Sequence, residues 1–362
     1  MPTDVTTAPR VDVTGLGLDE LEAFARSLGE PAYRGRQLAR WIYRRRAAAF
    51  DGMTDLPASL RARLAAAARL PRLAVVARQE APDGSTTKFL CALPDGQAIE
   101  TVLMRYADGR RTACISTQVG CGMGCTFCAT GLAGLQRNLT AGEIVDQVLL
   151  VAQATGERPT HVVFMGMGEP LANYEATVRA VRILTAPWGV GIGGRHLTIS
   201  TVGLVPQIHR LAAERFPLTL AISLHAPDDA LRTHLVPVNR RWPIAQLLAA
   251  ARAYATTTGR RVTFEYVLLA GVNDAQAHAR ALGRLLAGGP YHVNVIPWNP
   301  VFGLQYRRPS ADVVRRFARI VRAAGVPVTV RVERGVEIDA ACGQLRRTRP
   351  DPLPAAPAGS GP

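Results

Sequence analysis

Apolar positions at the start of the chain recur at helical spacing. In TGLGLDELEAFARSLGE (14–30), Leu18, Leu21 and Phe24 share one side. In YRGRQLARWIYRRRAAAF (33–50), Leu38, Trp41 and Ile42 form an apolar face and arginines fill the rest. PASLRARLAAAARL (57–70) reads as a third helix with Pro57 near its start. From 72 to 105 the pattern shortens to strand-like runs parted by turns at Pro82-Asp83-Gly84 and Pro94-Asp95-Gly96. From about residue 111 it becomes an alternation. TACIST, HVVFM, HLTIST, LTLAISL, VTFEYVLL, HVNVIP and VPVTVRV are strand-like. Between them lie helical runs at 140–155, 173–186, 204–214, 242–257, 274–287 and 310–324. Thr140 and Glu143 have the spacing of a capping box.

Repeated βα units predict an α/β fold: a parallel sheet with outer helices, either a barrel or an open sheet. Chemistry in such folds sits at the carboxyl ends of the strands. The expected organisation is a basic helical domain over 1–75 and a short β-strand linker over 76–105. The barrel follows over 106–345, then a Pro-rich disordered tail over 346–362.

Composition narrows the function classes. The chain has 362 residues, 48% hydrophobic and 20% charged, which excludes a largely disordered or fibrous protein. No apolar run is long enough for a transmembrane helix, and MPTDVTTAPR lacks the pattern of a signal peptide. A cytoplasmic protein is expected, with its six cysteines reduced. The net charge is +15. Residues 33–78 hold eleven arginines against Asp51 and Asp55, a field suited to nucleic acid. Lys88 is the single lysine.

Cys121-Gly-Met-Gly-Cys125-Thr-Phe-Cys128 puts three thiols in eight residues on a glycine-containing loop. Structural zinc takes four closed ligands; an iron–sulfur cluster held by three cysteines keeps one iron open. Two other matches are weak. Gly189-Val-Gly191-Ile-Gly-Gly194 fits the dinucleotide fingerprint but precedes a strand and opens no helix. Asn138-Leu-Thr140 fits a glycosylation acceptor that a cytosolic chain would not present to the machinery.

The spacing Cys-x3-Cys-x2-Cys, with Phe127 before the last cysteine, resembles the radical S-adenosylmethionine enzymes. In that family the open iron of a 4Fe–4S cluster chelates S-adenosylmethionine, whose cleavage yields a 5′-deoxyadenosyl radical; the resemblance implies a partial (βα)6 radical-SAM barrel. More of the chain resembles the RlmN/Cfr family of RNA methyltransferases, and most closely its C2-methylating branch. The matching stretches are Leu18-Asp-Glu-Leu, Tyr33-Arg-Gly-Arg-Gln, Ile99-Glu100-Thr101-Val102 and Cys114-Ile-Ser-Thr-Gln-Val-Gly-Cys121. Thr130-Gly131, Arg137-Asn138-Leu139 and Ala340-Ala341-Cys342-Gly343-Gln344-Leu345 complete the set. One departure is Glu337, where relatives often carry Asp.

The resemblance implies roles. Cys121, Cys125 and Cys128 would hold the cluster. Cys342 would accept a methyl group from one S-adenosylmethionine and a second would start the radical step, two per turnover. Cys114 would resolve the RNA adduct through a transient disulfide with Cys342. Glu100 sits in an apolar strand pattern where a carboxylate is out of place, and by resemblance it is the proton acceptor. Gly168, Glu169, Ser200, Ser223, Leu224, His225 and Asn299 fall at or after strand ends and would contact S-adenosylmethionine. Cys91 has no counterpart and reads as structural. The implied substrates are an adenosine of 23S rRNA and the adenosine 3′ of the tRNA anticodon. The cluster needs an electron donor such as flavodoxin or ferredoxin. A monomer without membrane contact is expected. A Cfr-like C8 methyltransferase and a zinc-stabilised, non-catalytic RNA-binding protein are the competing readings.

Overall fold

The computed structural model describes residues 10–70, 73–132, 134–331 and 334–345. The Pro-rich segment from 346 onward lies outside them. In chain order the elements begin with β1 (Val11–Asp12), α1 (Leu18–Ser27), α2 (Tyr33–Ala39), α3 (Ala58–Ala67) and β2 (Ala68–Arg69). There follow β3 (Ala74–Glu80), β4 (Thr86–Ala92), β5 (Ala98–Arg105), β6 (Arg111–Cys114) and β7 (Gln118–Gly120). Next come α4 (Ala129–Leu132), β8 (Leu135–Asn138), α5 (Ala141–Thr155), β9 (His161–Phe164), α6 (Tyr174–Thr185) and β10 (Leu197–Thr201). The chain continues with α7 (Val205–Ala213), β11 (Thr219–Ser223), α8 (Asp229–Leu235), α9 (Ile244–Thr258) and β12 (Val262–Leu268). It closes with α10 (Gln276–Leu286), β13 (Tyr291–Pro297), α11 (Ala311–Ala323) and β14 (Val328–Val330).

Two compact units result, one built from 1–74, 139–158 and 175–192, the other from 75–138, 159–174 and 193–362. In the first, Glu20 accepts a hydrogen bond from the Gly17 amide at 2.7 Å and starts α1. Gly35 lets α2 cross α1 closely, because a Cβ there would lie 2.5 Å from the Glu22 backbone. The helix expected over 33–50 ends earlier, in a π-turn over Arg40–Arg44, with Trp41, Ile42 and Tyr43 all inward. Tyr43 then donates to the Thr14 and Leu16 carbonyls at 2.9 Å each. Helix α5 starts with the expected reciprocal Thr140/Glu143 cap and is buried continuously from Ala141 to Ala152, as suits a helix apolar on most sides. Part of the arginine excess is engaged here: Arg36 pairs with Glu22, and Arg34 and Arg63 with Glu30.

The second unit holds a ten-stranded sheet in the order β14-β13-β12-β11-β10-β9-β6-β5-β4-β3. The strands from β6 to β14 run parallel, and these are the alternating runs that the sequence pattern predicts. The strands before them are part of the same sheet: β5 pairs antiparallel with β6, and β4 with β5. Val162, Leu197, Ile199, Leu220, Ile222, Phe264, Val293 and Val295 are fully buried and form the strand core. The 189–194 glycine run leads into a short 3-10 turn over Gly194–His196 and then β10, not into a long helix.

Candidate active site

The three clustered cysteines follow β7, which pairs antiparallel with β8. The turn depends on Gly120, whose φ is +76° and whose Cβ position would lie 1.9 Å from the Gly134 carbonyl oxygen. The Cys121 amide donates to that same carbonyl. Phe127 anchors the far end of the loop, buried with Leu235, Val236, Val267 and Trp298. The Trp298 indole N–H donates to the Phe127 carbonyl at 3.1 Å. Cys121, Cys125 and Cys128 line one cavity of 160 Å³ together with Gly168, Glu169, Ser200, Ser223, His225 and Cys342. Burial pushes the Cys121 thiol up to about 12 and the Cys125 thiol well above the ordinary range. Among the described residues no group of His, Cys, Asp or Glu is arranged around a single metal ion. Three soft thiol donors on one loop, turned to one cavity, fit a larger thiolate-held cluster better than a closed zinc site.

The loop after β9 is tied to the chain after β6. The Met167 amide donates to Ser116 Oγ at 2.9 Å and the Glu169 amide to Gln118 Oε1 at 2.8 Å. Gly168 has φ +99°, and a Cβ there would lie 2.5 Å from the Gln118 side chain. The Glu169 oxygens accept from the Leu171 amide at 3.0 Å and the Val202 amide at 2.8 Å. Its carboxyl is fully desolvated, which pushes the pKa up to about 7 against those bonds.

His225 occupies the left-handed region at φ +60°, with its ring edge-on to Phe127. Its Nδ1 accepts from the Val267 amide at 3.0 Å, and burial lowers its pKa to about 3, so the ring is neutral. Leu224 is fully buried and is not part of the cavity wall; its amide and carbonyl bond to the Glu265 carbonyl and to Arg232. Arg232 carries no signal in the sequence. It has no exposed surface, yet it donates to the Val202, Ser223 and Leu224 carbonyls and to Asn239 Oδ1, bracing the ends of β10 and β11. It stands alone in a polar run of a short helix, where periodicity has nothing to mark.

Cys114 ends β6 and is buried; Cys342 is half-buried on the chain after β14. Both line a small cavity with Met104, Tyr106, Met165, Asn299, Arg331 and Arg334, and Cys342 also faces the cluster loop's cavity. All six cysteines are free thiols, so the expected Cys114–Cys342 disulfide is absent from this state. Burial raises the Cys114 pKa to about 12 and lifts Cys342 as well, while Arg331 opposes both. Arg331, a second residue that sequence pattern does not single out, is the cation next to both thiols, and Cys342 is the main cause of its own raised pKa.

The Cys342 segment is held from several sides. Asn299 donates to the Cys342 carbonyl at 3.2 Å, and the Ala129 amide to the Gly343 carbonyl at 2.8 Å. Asn299 therefore lines the thiol cavity and not the one beside the cluster loop. Gln344 donates to the Pro300 carbonyl at 2.9 Å, and Thr130 to the Leu345 carbonyl at 2.6 Å. Glu100 lies off the cavity walls. It is buried in β5 and paired at 3.2 Å with Lys88, the chain's one lysine, which also reaches the Asp339 carbonyl at 3.3 Å. Cys91 is fully buried in β4.

A parallel βα sheet with a three-cysteine loop at the carboxyl ends of its strands defines a radical SAM protein, and the Radical SAM superfamily model matches residues 115–282. Residues 11–70 match the model described as Ribosomal RNA large subunit methyltransferase N-terminal domain. The chain is 53% identical over 339 residues to a Pelotomaculum thermopropionicum protein named "Probable dual-specificity RNA methyltransferase RlmN", covering 93% of this chain and 92% of that one. A Chloroflexus aurantiacus protein of the same name is 54% identical, with 93% of each chain covered. A solved radical SAM methyltransferase from Sphaerobacter thermophilus superposes with a TM-score of 0.90 at 54% identity, covering 93% of this chain and 99% of that one. The chain belongs to the RlmN family of radical SAM RNA methyltransferases.

Among the described residues no helix is long and apolar enough to cross a membrane.

Proposed function

We propose that this enzyme methylates C2 of an adenosine in 23S rRNA, and C2 of the adenosine 3′ of the tRNA anticodon, by a relay through a methylated cysteine. It would act in the cytoplasm as a monomer, fed by a flavodoxin- or ferredoxin-type donor. The observation that carries the relay is the position of Cys342 between two cavities, one shared with the cluster cysteines and one with Cys114 and Arg331. The relatives' shared name, dual-specificity RNA methyltransferase, supports two RNA classes.

Cys121, Cys125 and Cys128 would hold a 4Fe–4S cluster, with Gly168, Glu169, Ser200, Ser223 and His225 around S-adenosylmethionine. When bound, that pair supplies a radical able to abstract hydrogen. The chain's own residues do the rest. Cys342 accepts a methyl group as its thioether, the sulfonium C–S bond breaking as the new one forms. Arg331 favours the thiolate needed for that attack. The S-methyl carbon then loses a hydrogen atom and adds to adenine C2, an electrophilic carbon closed to ordinary polar methyl transfer. The adduct restores the aromatic ring by giving up the C2 proton and one electron, the electron returning to the cluster. Glu100 is the proton acceptor; Lys88 links its carboxylate to the Cys342 segment through the Asp339 carbonyl. Cys114, as the thiolate, attacks Cys342 Sγ and breaks its bond to the methylene, which takes up a proton and leaves as the methyl group of the base. The transient disulfide is then reduced by an external thiol.

Anaerobic turnover of the cluster-loaded enzyme with S-adenosylmethionine, reductant and a protein-free 23S rRNA fragment tests this, with nucleosides identified by mass spectrometry. The expected product is 2-methyladenosine, absent with Cys342→Ala. A product of 8-methyladenosine would reject the regiochemistry, and colourless zinc-loaded protein would reject the chemistry.

A further inference from the structure

A second cavity of the barrel, wider than the one beside the cluster loop, lies away from that loop. It measures 560 Å³, within the range of nucleotide-sized sites. Its wall comes from the beginnings and middles of the parallel strands: Thr112 of β6, Val163 of β9, Thr198 of β10, Thr219 of β11, Thr263 of β12 and Asn294 of β13. The threonine hydroxyls and the Asn294 amide give a hydrogen-bonding lining where a sheet interior is usually apolar. The cavity shares Met104, Tyr106, Met165, Arg331 and Arg334 with the cavity of the two thiols, so its inner end reaches the walls around Cys342.

Its rim carries charge of one sign. Arg110, Arg195 and Arg334, with Arg331 deeper beside the thiols, are set against Glu265 in the wall. The nearby acids are Asp108, whose carboxylate accepts from the Arg110 amide, and Asp83, whose pKa is lowered by its bonds from Ser85 and by Arg334. Arg110 and Arg195 are exposed. Arg334 is half-buried and its Nε has no hydrogen-bond partner among the described residues. Flat groups alternate with these cations. Tyr106 has the Arg110 guanidinium 3.9 Å and the Arg334 guanidinium 4.6 Å from its ring centre. His161 and His196 stack at 4.4 Å between ring centres. Burial, His196 and Arg110 all lower the His161 pKa, which favours the neutral ring there. Guanidinium groups hold phosphates, and rings and guanidinium planes stack bases. The other cavity wall, beside the cluster loop, has Glu169 and Glu265 against Arg331 and no such excess.

We propose that the RNA's target nucleotide enters the barrel at the amino ends of its strands and reaches Cys342 through this lumen, with Arg110, Arg195 and Arg334 holding the flanking phosphates. The inference rests on the Cys342 relay proposed above. It gives the two reactants opposite approaches: S-adenosylmethionine beside the cluster loop, RNA from the other end. A base drawn out of its stack would pass the Tyr106 and histidine platforms on the way.

The test uses the cluster-loaded full chain with Arg110→Glu/Arg195→Glu and, separately, Thr219→Phe, which narrows the lumen. Binding of the 23S rRNA fragment is measured over a salt series. The double variant should bind at least about ten-fold more weakly, and its slope of log K against log salt should fall by about 0.7 for each phosphate no longer neutralised. Thr219→Phe should keep RNA affinity and lose most turnover. In both, methylation of Cys342 by S-adenosylmethionine without RNA, read as peptide mass, should match wild type and report an intact fold; if Thr219→Phe loses it, Thr198→Phe replaces that variant. Wild-type affinity and salt slope in the double variant would overturn the proposal, and so would undiminished turnover with a blocked lumen. Loss of affinity and turnover alongside a wild-type product other than 2-methyladenosine would keep the port and reject the C2 assignment alone.

Discussion

The two ends of the barrel lumen solve different problems with different residues. At the carboxyl ends, glycines with positive φ, buried carbonyls and a buried guanidinium fix a few side chains in place around thiols. At the amino ends, threonines standing on a regular ladder and exposed arginines line a wider space. Irregular backbone needs internal hydrogen-bond partners, so the carboxyl end is over-determined and intolerant of change. A ladder satisfies its own backbone, so the amino end is free to present whatever its partner requires. The difference teaches that substitutions at one end should act on stability and chemistry, and at the other on RNA affinity.

Arg232→Met should break the carboxyl end most severely. It orphans four acceptors, the Val202, Ser223 and Leu224 carbonyls and Asn239 Oδ1, each buried loss costing about 1–3 kcal/mol. Urea unfolding should show a loss on the order of 5 kcal/mol. A loss no larger than that of Thr263→Val at the other end would erase the contrast. Gly168→Ala comes next. A Cβ at φ +99°, 2.5 Å from Gln118, combines backbone strain with overlap and should cost about 3 kcal/mol. Spectroscopic titration should find S-adenosylmethionine affinity weakened along with it, while affinity for the rRNA fragment holds.

Much of this was legible in the sequence, and the parts that were not have two causes. Strands β6 and β9–β14 have β-branched runs bounded by turn residues, and the helices between them have apolar faces, so local pattern sufficed. The cluster loop was legible because its three cysteines fall within eight residues of sequence. Arg232 and Arg331 were not, because each acts on groups brought near only by folding: Arg232 on β10 and β11, Arg331 on Cys114 from far earlier in the chain. Among forty-three basic residues a buried arginine has no local mark. The π-turn at Arg40–Arg44 was hidden for another reason: its residues fit an α-helix equally well, and three inward side chains decide otherwise. Asn299 was found as a polar group after a strand, but its bond to the Cys342 carbonyl is a tertiary fact.

The mildest expected effect concerns the two ends' histidines. His225 has a folded pKa of about 3 against an ordinary value of 6.5, lowered by burial at the carboxyl end. A depressed pKa contributes stability above pH 6.5, which is lost as pH falls, because the unfolded chain takes up a proton that the folded chain refuses. The slope is about 1.4 kcal/mol per pH unit. His225→Gln removes that liability while keeping an acceptor for the Val267 amide. The variant should be less stable than wild type at about pH 7, and the gap should narrow by about 2 kcal/mol by about pH 5 in urea titrations. His161, half-buried at the amino end, is lowered by the same cause with water close by. His161→Gln should therefore narrow its own gap by less over the same interval. Equal narrowing would mean that the two ends are equally dry, and the distinction between a sealed chemical end and an open RNA end would fail on its own ground.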